Sequence, residues 1–343
     1  MKKFGYVLLL PVALGLILTG CENVTNPVEP GSSADLSKPV GQKPGTWETL
    51  TPVPFVGFSG VEGMSVASVG NKIYAAFGND AADRPTLRIY DIVSDTWSTG
   101  SDGPGASSEG AGIAVGGLFY SIGGRGAGYT ANWAYDPTTD TWNSSMASLP
   151  TGRAGLAVAA VGNAIYAIGG RTGTGGPNSA GKLDVVERYD IDLDMWQTVA
   201  TLPAPRSDLA AATIGGKIYV FGGFDAAGNV VADVDVYNPV TDSWSTAPAD
   251  MPTARAGMYA AATKGGTVYV IGGWDGAFPF DTAVGSAVEA YKVSQDKWMT
   301  DLPSMPTARA ETGAADHNGK IYILGGATPA FGNSVAANEA FKP

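Results

Sequence analysis

Apolar and polar positions along this chain repeat with a period of about fifty residues. A short apolar run ends on glycine and turns polar at once in "IYAAFGND" from Ile73, "FYSIGGRG" from Phe119 and "IYAIGGRT" from Ile165. The same happens in "IYVFGGFD" from Ile218, "VYVIGGWD" from Val268 and "IYILGGAT" from Ile321. Upstream of each lies an alternating or small-residue run with a Gly or Asn turn inside it, as in "AGLAVAAVGNAIYAIGG". Downstream come an aromatic residue and, at a constant interval, a tryptophan: Tyr90 and Trp97, Tyr135 and Trp142, Tyr189 and Trp196, Tyr237 and Trp244, Tyr291 and Trp298. Their spacing predicts a rigid hairpin whose turn, "YNPVTDSW" for example, holds the Asn-Pro and Asp that favour tight reversal. Each unit therefore reads as four short antiparallel strands.

Apolar run, double glycine, spaced tyrosine and spaced tryptophan together resemble the kelch repeat, and the resemblance runs from Trp47 to Pro343. It implies an all-β fold, a six-bladed β-propeller of four-stranded antiparallel blades. The second strand of a blade is then sandwiched between neighbouring blades, which explains an apolar run without alternation. Glycines end it where adjacent backbones approach closely and the chain needs positive φ. No helix pattern follows any glycine pair, which argues against a phosphate-binding loop. The sixth unit has Phe341 in place of its tyrosine and ends before any tryptophan, while "TWETL" at Trp47 reads as a final strand with nothing before it. The N-terminal strand is expected to complete the last blade. In the first unit "FGN" replaces the double glycine, and a bulge is expected there.

The chain starts differently. "MKKFGYVLLLPVALGLILTGCENVTNP" has two lysines, an apolar run from Val7 to Leu18 with a proline inside, then small residues and the lone cysteine. That run is too short for an ordinary bilayer span and reads as a secretory signal over residues 1–20. Leu18, Thr19, Gly20 and Cys21 resemble the bacterial lipoprotein box, which implies diacylglyceryl and acyl groups on Cys21 and firm anchoring to a membrane. Residues 21–46 are rich in Pro, Gly and Ser and read as a flexible tether, leaving 47–343 as the propeller. An extracytoplasmic location, at the outer membrane and periplasm or the cell surface, is expected. Glu22 follows the cysteine where enteric-type inner-membrane retention uses aspartate, which favours the outer membrane in an organism with that sorting. The net charge of -11 and the lack of a basic cluster exclude nucleic acid as a natural partner.

Loops after the double glycine and loops between blades emerge on one face, where propellers usually carry function. In blades three to six Arg153, Arg206, Arg255 and Arg309 precede the inner strand; in blades one and two Val61 and Ser107 stand there, with Glu62 and Glu109 nearby. In kelch peptide binders arginines at this place line the channel mouth, as does the residue after the glycines, here Arg125, Arg171, Phe224 and Trp274. The resemblance thus implies a mouth basic over most of its rim, with Trp274, Phe278 and Phe280 as stacking surface, and an anionic protein segment or glycan as ligand. The competing reading makes the arginines structural, tied to backbone carbonyls.

Evidence for chemistry is thin. A galactose-oxidase-like copper site needs two histidines and a cysteine-linked tyrosine, but His317 is the single histidine and lies in a turn, "DHNGK". Asp190, Asp192 and Asp194 have calcium-loop spacing but lack the glycine and distal glutamate of such a loop. No metal or cofactor is expected. Asp208 and Glu311 follow Arg206 and Arg309 by two positions, which in a strand sets each pair on one face. They are the candidate acid–base residues if the chain is instead a sugar-active enzyme, such as an epimerase of acidic sugars of the N-acetylneuraminate type. The primary expectation is a membrane-tethered binding or scaffolding module.

Overall fold

The computed structural model describes residues 44–55, 60–80, 82–173, 180–276, 284–328 and 334–343. Cys21, Phe278 and Phe280 lie outside them. The described residues form six four-stranded antiparallel sheets. In the first, Ser65–Val69, Lys72–Ala76, Leu87–Asp91 and Thr96–Thr99 follow one another outward. The sixth takes Gly313–His317, Lys320–Leu324 and Asn338–Lys342 from one end of the chain and Thr46–Thr49 from the other. This is a six-bladed propeller closed by its N-terminal strand, with Trp47 opposite Phe341 in register.

Burial follows position in the blade. Ala164–Ile168, the second strand of blade three, is buried at every residue, because both its faces meet other blades. The outer strand Met195–Thr198 exposes all but Trp196, which is half-buried. Each outer hairpin is tied to the blade before it by one repeated cassette. The Tyr237 hydroxyl donates to Asp242 Oδ1 at 2.7 Å, the Ala200 N–H donates to the same oxygen at 2.8 Å, and Trp244 Nε1 donates to the Ala200 carbonyl at 2.8 Å. Equivalent carboxylates are Asp95, Asp140, Asp194 and Asp296, all with positive φ. Asp194 is thereby a turn and inter-blade residue.

Double glycines do two jobs, seen at Gly222 and Gly223. Both have positive φ, +50° and +104°. The Gly223 N–H donates to the carbonyl of Arg255 in the next blade at 2.8 Å. A Cβ on Gly222 would lie 2.3 Å from that same carbonyl oxygen. In blade one the expected bulge is absent: pairing stays regular through Ser65↔Ala76, and Phe77 adopts φ +67° in place of the first glycine. Its ring is buried against Trp133 and Trp142, with centroids 5.4 Å from each, and this packing holds the left-handed backbone in place.

Candidate functional site

One residue from each blade meets its neighbours at the loop end of the axis: Gly63, Glu109, Gly155, Asp208, Gly257 and Glu311. All six have φ between +51° and +65°. The N–H of each donates to the carbonyl of its counterpart in the preceding blade, over 2.7–3.1 Å, with Gly63 closing on Glu311. The result is a continuous ring of six backbone hydrogen bonds in which glycine and acid alternate. The glycines make room for their neighbours. A Cβ on Gly155 would lie 2.1 Å from Arg171 Nη1, and one on Gly257 would lie 3.0 Å from Trp274 Cδ1.

Two of the three ring carboxylates share one cation. Arg171, with a fully buried side chain, donates through Nη1 to both oxygens of Asp208 (2.8 and 2.7 Å) and through Nη2 to Glu109. Arg125 Nη1 adds a second bond to Glu109 at 2.9 Å. Burial pulls the Arg171 guanidinium toward deprotonation, and the carboxylates of Asp208, Glu109 and Glu311 more than reverse this. The Glu311 carboxyl accepts no hydrogen bond from any described residue. Desolvation, reinforced by the charges of Glu109, Glu62 and Asp208, pushes it well above the ordinary carboxylate range. Glu62 and Glu109 are raised as well, mainly by burial.

This differs from the expected basic rim. Arg153, Arg206, Arg255 and Arg309 turn away from the axis into their own blades, where each is buried against a carboxylate of the third strand. Arg255 donates to Glu289 Oε2 at 2.7 Å and to the carbonyls of Gly272 and Ala287. Arg153 pairs with Glu187, Arg206 with Asp235 and Arg309 with Glu339 in the same way. A buried guanidinium must place its donors, and a carboxylate with adjacent backbone carbonyls meets that demand within the blade. The mouth is acidic instead, and the basis for an anionic ligand falls away. Asp208 and Glu311 do not share a strand face with Arg206 and Arg309, because the positive φ at each acid sends it to the axis. Phe224 and Trp274 are also buried, in an apolar cluster with Ala256, Val284, Ala310 and Ala327.

A sequence signal for the arginine pairing existed. The residue two before the third-strand aromatic is Glu187, Asp235, Glu289 or Glu339 in blades three to six. In blades one and two, where the arginine is replaced by Val61 or Ser107, it is Arg88 or Trp133. Arg and acid are present together or absent together. In blade one Arg88 reverses the arrangement and donates to the Pro54 and Phe77 carbonyls.

Below the ring the axis stays open. A space of about 110 Å³ at the ring is followed by one of about 150 Å³ and, toward the hairpin-turn face, one of about 380 Å³. Adjacent spaces share walls: Met64, Leu156 and Met258 line the first two, Val66, Val158 and Ala211 the second and third. Among the described residues no cluster of three or more His, Cys, Asp or Glu can hold a metal ion. His317 contacts Asn318 in its turn, away from the ring.

Residues 113–326 match the family model of the KLHDC2/KLHL20/DRC7 Kelch-repeats domain. The chain is 29% identical over 321 residues to Kelch-like protein terF of Aspergillus terreus, covering 88% of this chain and 68% of that one. It is 36% identical over 110 residues to Kelch-like protein 7 of Rattus norvegicus, of which it spans 17%. A solved structure titled "Structure of YjhT" superposes with a TM-score of 0.70 at 17% identity, over 84% of this chain and 95% of that one, a likeness of fold. Six blades with a family match across most of them have one reading: the chain belongs to the kelch-repeat family.

Proposed function

We propose that this kelch propeller is a membrane-tethered, extracytoplasmic binding module whose mouth receives a protein segment presenting a cationic side chain. The observation that carries the reading is the ring of three carboxylates with two guanidinium groups, Arg171 directed at Glu109 and Asp208 and Arg125 directed at Glu109. Arg171 satisfies Asp208 and Glu109, and Glu311 stands third without a donor among the described residues. A ligand ammonium or guanidinium placed there supplies the missing donors by charge-assisted hydrogen bonds. The tether and anchor rest on the Leu18–Cys21 box and on the lone cysteine.

Two experiments test this. A peptide array should return Lys- or Arg-bearing segments whose binding is weakened by Glu311→Gln and by salt; neutral or acidic hits indifferent to Glu311 would remove the reading. Cys21→Ser should release the protein from membranes and stop fatty-acid labelling, and continued labelling would exclude the anchor.

A second reading keeps Asp208 and Glu311 as acid–base residues of a sugar-active enzyme. It draws on the raised Glu311 carboxyl, which can hold and release a proton, together with the ion-paired Asp208 carboxylate. Turnover of an acidic sugar, abolished by Glu311→Gln, would establish it.

A further inference from the structure

We propose that the axial channel is a binding site for a linear aliphatic polyamine, entered from the hairpin-turn face rather than from the mouth. The inference goes beyond the mouth reading and can fail separately. Three features of the channel carry it.

The first is shape. The wide end, about 380 Å³, lies at the turn face, while the mouth end narrows to about 110 Å³ beneath the ring of six backbone hydrogen bonds. From Thr312 to Asp316 the inner strand of blade six advances four residues, about 13 Å. The walls are mostly alanine, valine and the free edges of inner strands, so few side chains project into the bore and an extended chain can run along it. It suits a methylene chain better than a compact ring.

The second is charge. Among the described residues lining the three spaces, every charged side chain is a carboxylate: Asp316 at the turn end, and Glu109, Asp208 and Glu311 at the mouth end. No lysine or arginine lines any of them. Glu109 and Asp208 are already paired with Arg171 and Arg125, so the groups left for a cation are Asp316 at one end and Glu311 at the other. Glu311 is raised by burial and is drawn to its ionised form by an arriving ammonium. With an uncharged middle between them, the two are complementary to two ammonium groups separated by methylenes.

The third is a set of hydroxyls without protein partners. Oγ1 of Thr312, near the ring, and Oγ1 of Thr213, in the wide space, are buried and make no hydrogen bond to any described residue. Tyr259 lines the bore between them, and its hydroxyl likewise has no hydrogen bond among the described residues. Burial drives that phenol far above the ordinary tyrosine range, so it stays neutral and can accept from an ammonium. The two buried threonine oxygens require a partner, and amine N–H groups along the bore provide one, with the half-buried Tyr259 hydroxyl as a further acceptor. Terminal ammonium groups then sit at Asp316 and beneath the ring, with the alkyl chain along the alanine walls.

The test is calorimetric titration of the intact propeller with spermine, using hexaamminecobalt(III) as a compact cation of high charge. Saturable binding at one site, not displaced by the cobalt complex, is expected. Asp316 is exposed at the channel end, so Asp316→Asn should weaken it about two- to fivefold, the scale of one exposed ion pair. Ala211→Leu, which fills the bore between the lower spaces, should weaken it at least as much. Neither substitution touches the mouth, so peptide binding there should persist. Displacement by the cobalt complex, several equivalent sites, or unchanged affinity in Asp316→Asn would overturn the proposal. Should Ala211→Leu fail to fold, Tyr259→Phe replaces it, and unchanged affinity in that variant has the same force.

Discussion

Trp47 and Phe341, from opposite ends of the propeller sequence, pack with ring centroids 5.1 Å apart and planes inclined by 40°. They occupy the places that Tyr and Trp of one hairpin hold in the other blades, as at Tyr237 and Trp244, also 5.1 Å apart and at 39°. The chain thus rebuilds, across the ring closure, a contact made locally elsewhere. Trp47 Nε1 also donates to the Pro303 carbonyl at 3.0 Å, tying the closing strand to blade five. Trp47→Ala should cost about 2–4 kcal/mol, the range for losing a large, partly buried aromatic. Denaturant unfolding measures it, and an unchanged midpoint would mean that closure does not depend on this contact.

Gly222→Ala should destabilise strongly, because it combines a left-handed backbone with a Cβ 2.3 Å from the Arg255 carbonyl oxygen. The conformational part alone is about 1–2 kcal/mol, and the clash adds to it. Gly216→Ala has a comparable φ, +73°, but nothing within 4 Å of the added Cβ. Comparing the two by thermal melting isolates the clash, and equal losses would show that only the backbone angle matters.

Arg255→Met should cost about 3–5 kcal/mol, since it leaves Glu289 buried beside unpaired carbonyls. Adding Glu289→Leu should recover much of that loss, as apolar pairs often replace buried ion pairs without penalty. Binding at the mouth should survive the double variant once folded. Abolished binding with intact stability would return Arg255 to the ligand site.

Acid and alkaline behaviour should have separate origins. In the inter-blade cassettes the carboxyls of Asp140, Asp242 and Asp296 are held below the usual range, chiefly by a backbone N–H, and those of Asp95 and Asp194 chiefly by the tyrosine hydroxyl. Their folded values lie below the unfolded one, so the stability they contribute is present above about pH 3.9 and lost as pH falls further. Replacing all five by Asn should flatten the acid limb of a melting-temperature profile.

Glu311 works in the opposite sense. Its folded value lies above the unfolded one, so stability falls as pH rises from about 4.3 through the folded value. Glu311→Gln should therefore raise the melting temperature at pH 8 and leave it nearly unchanged at pH 4. A variant no more stable at pH 8 would mean that Glu311 has an unrecognised partner there.

Blade number, strand order, the closing strand and the purpose of the double glycines were all legible in the sequence, because each depends on local spacing. A strand needs its period, a hairpin its turn, and a close approach its glycine; these recur at Ile218–Gly223 and Ile321–Gly326 and reinforce one another. The direction of a charged side chain is not local in this way. Arg206 and Asp208 are two residues apart, yet one goes into its blade and the other to the axis, because Asp208 takes a left-handed backbone imposed by the hydrogen bond to Gly155 in the neighbouring blade. Likewise Arg171 finds Glu109 and Asp208 only after three blades have been set side by side. Which carboxylate keeps a partner and which is left without one is decided by six backbones meeting at one axis, and only the tertiary structure brings them there.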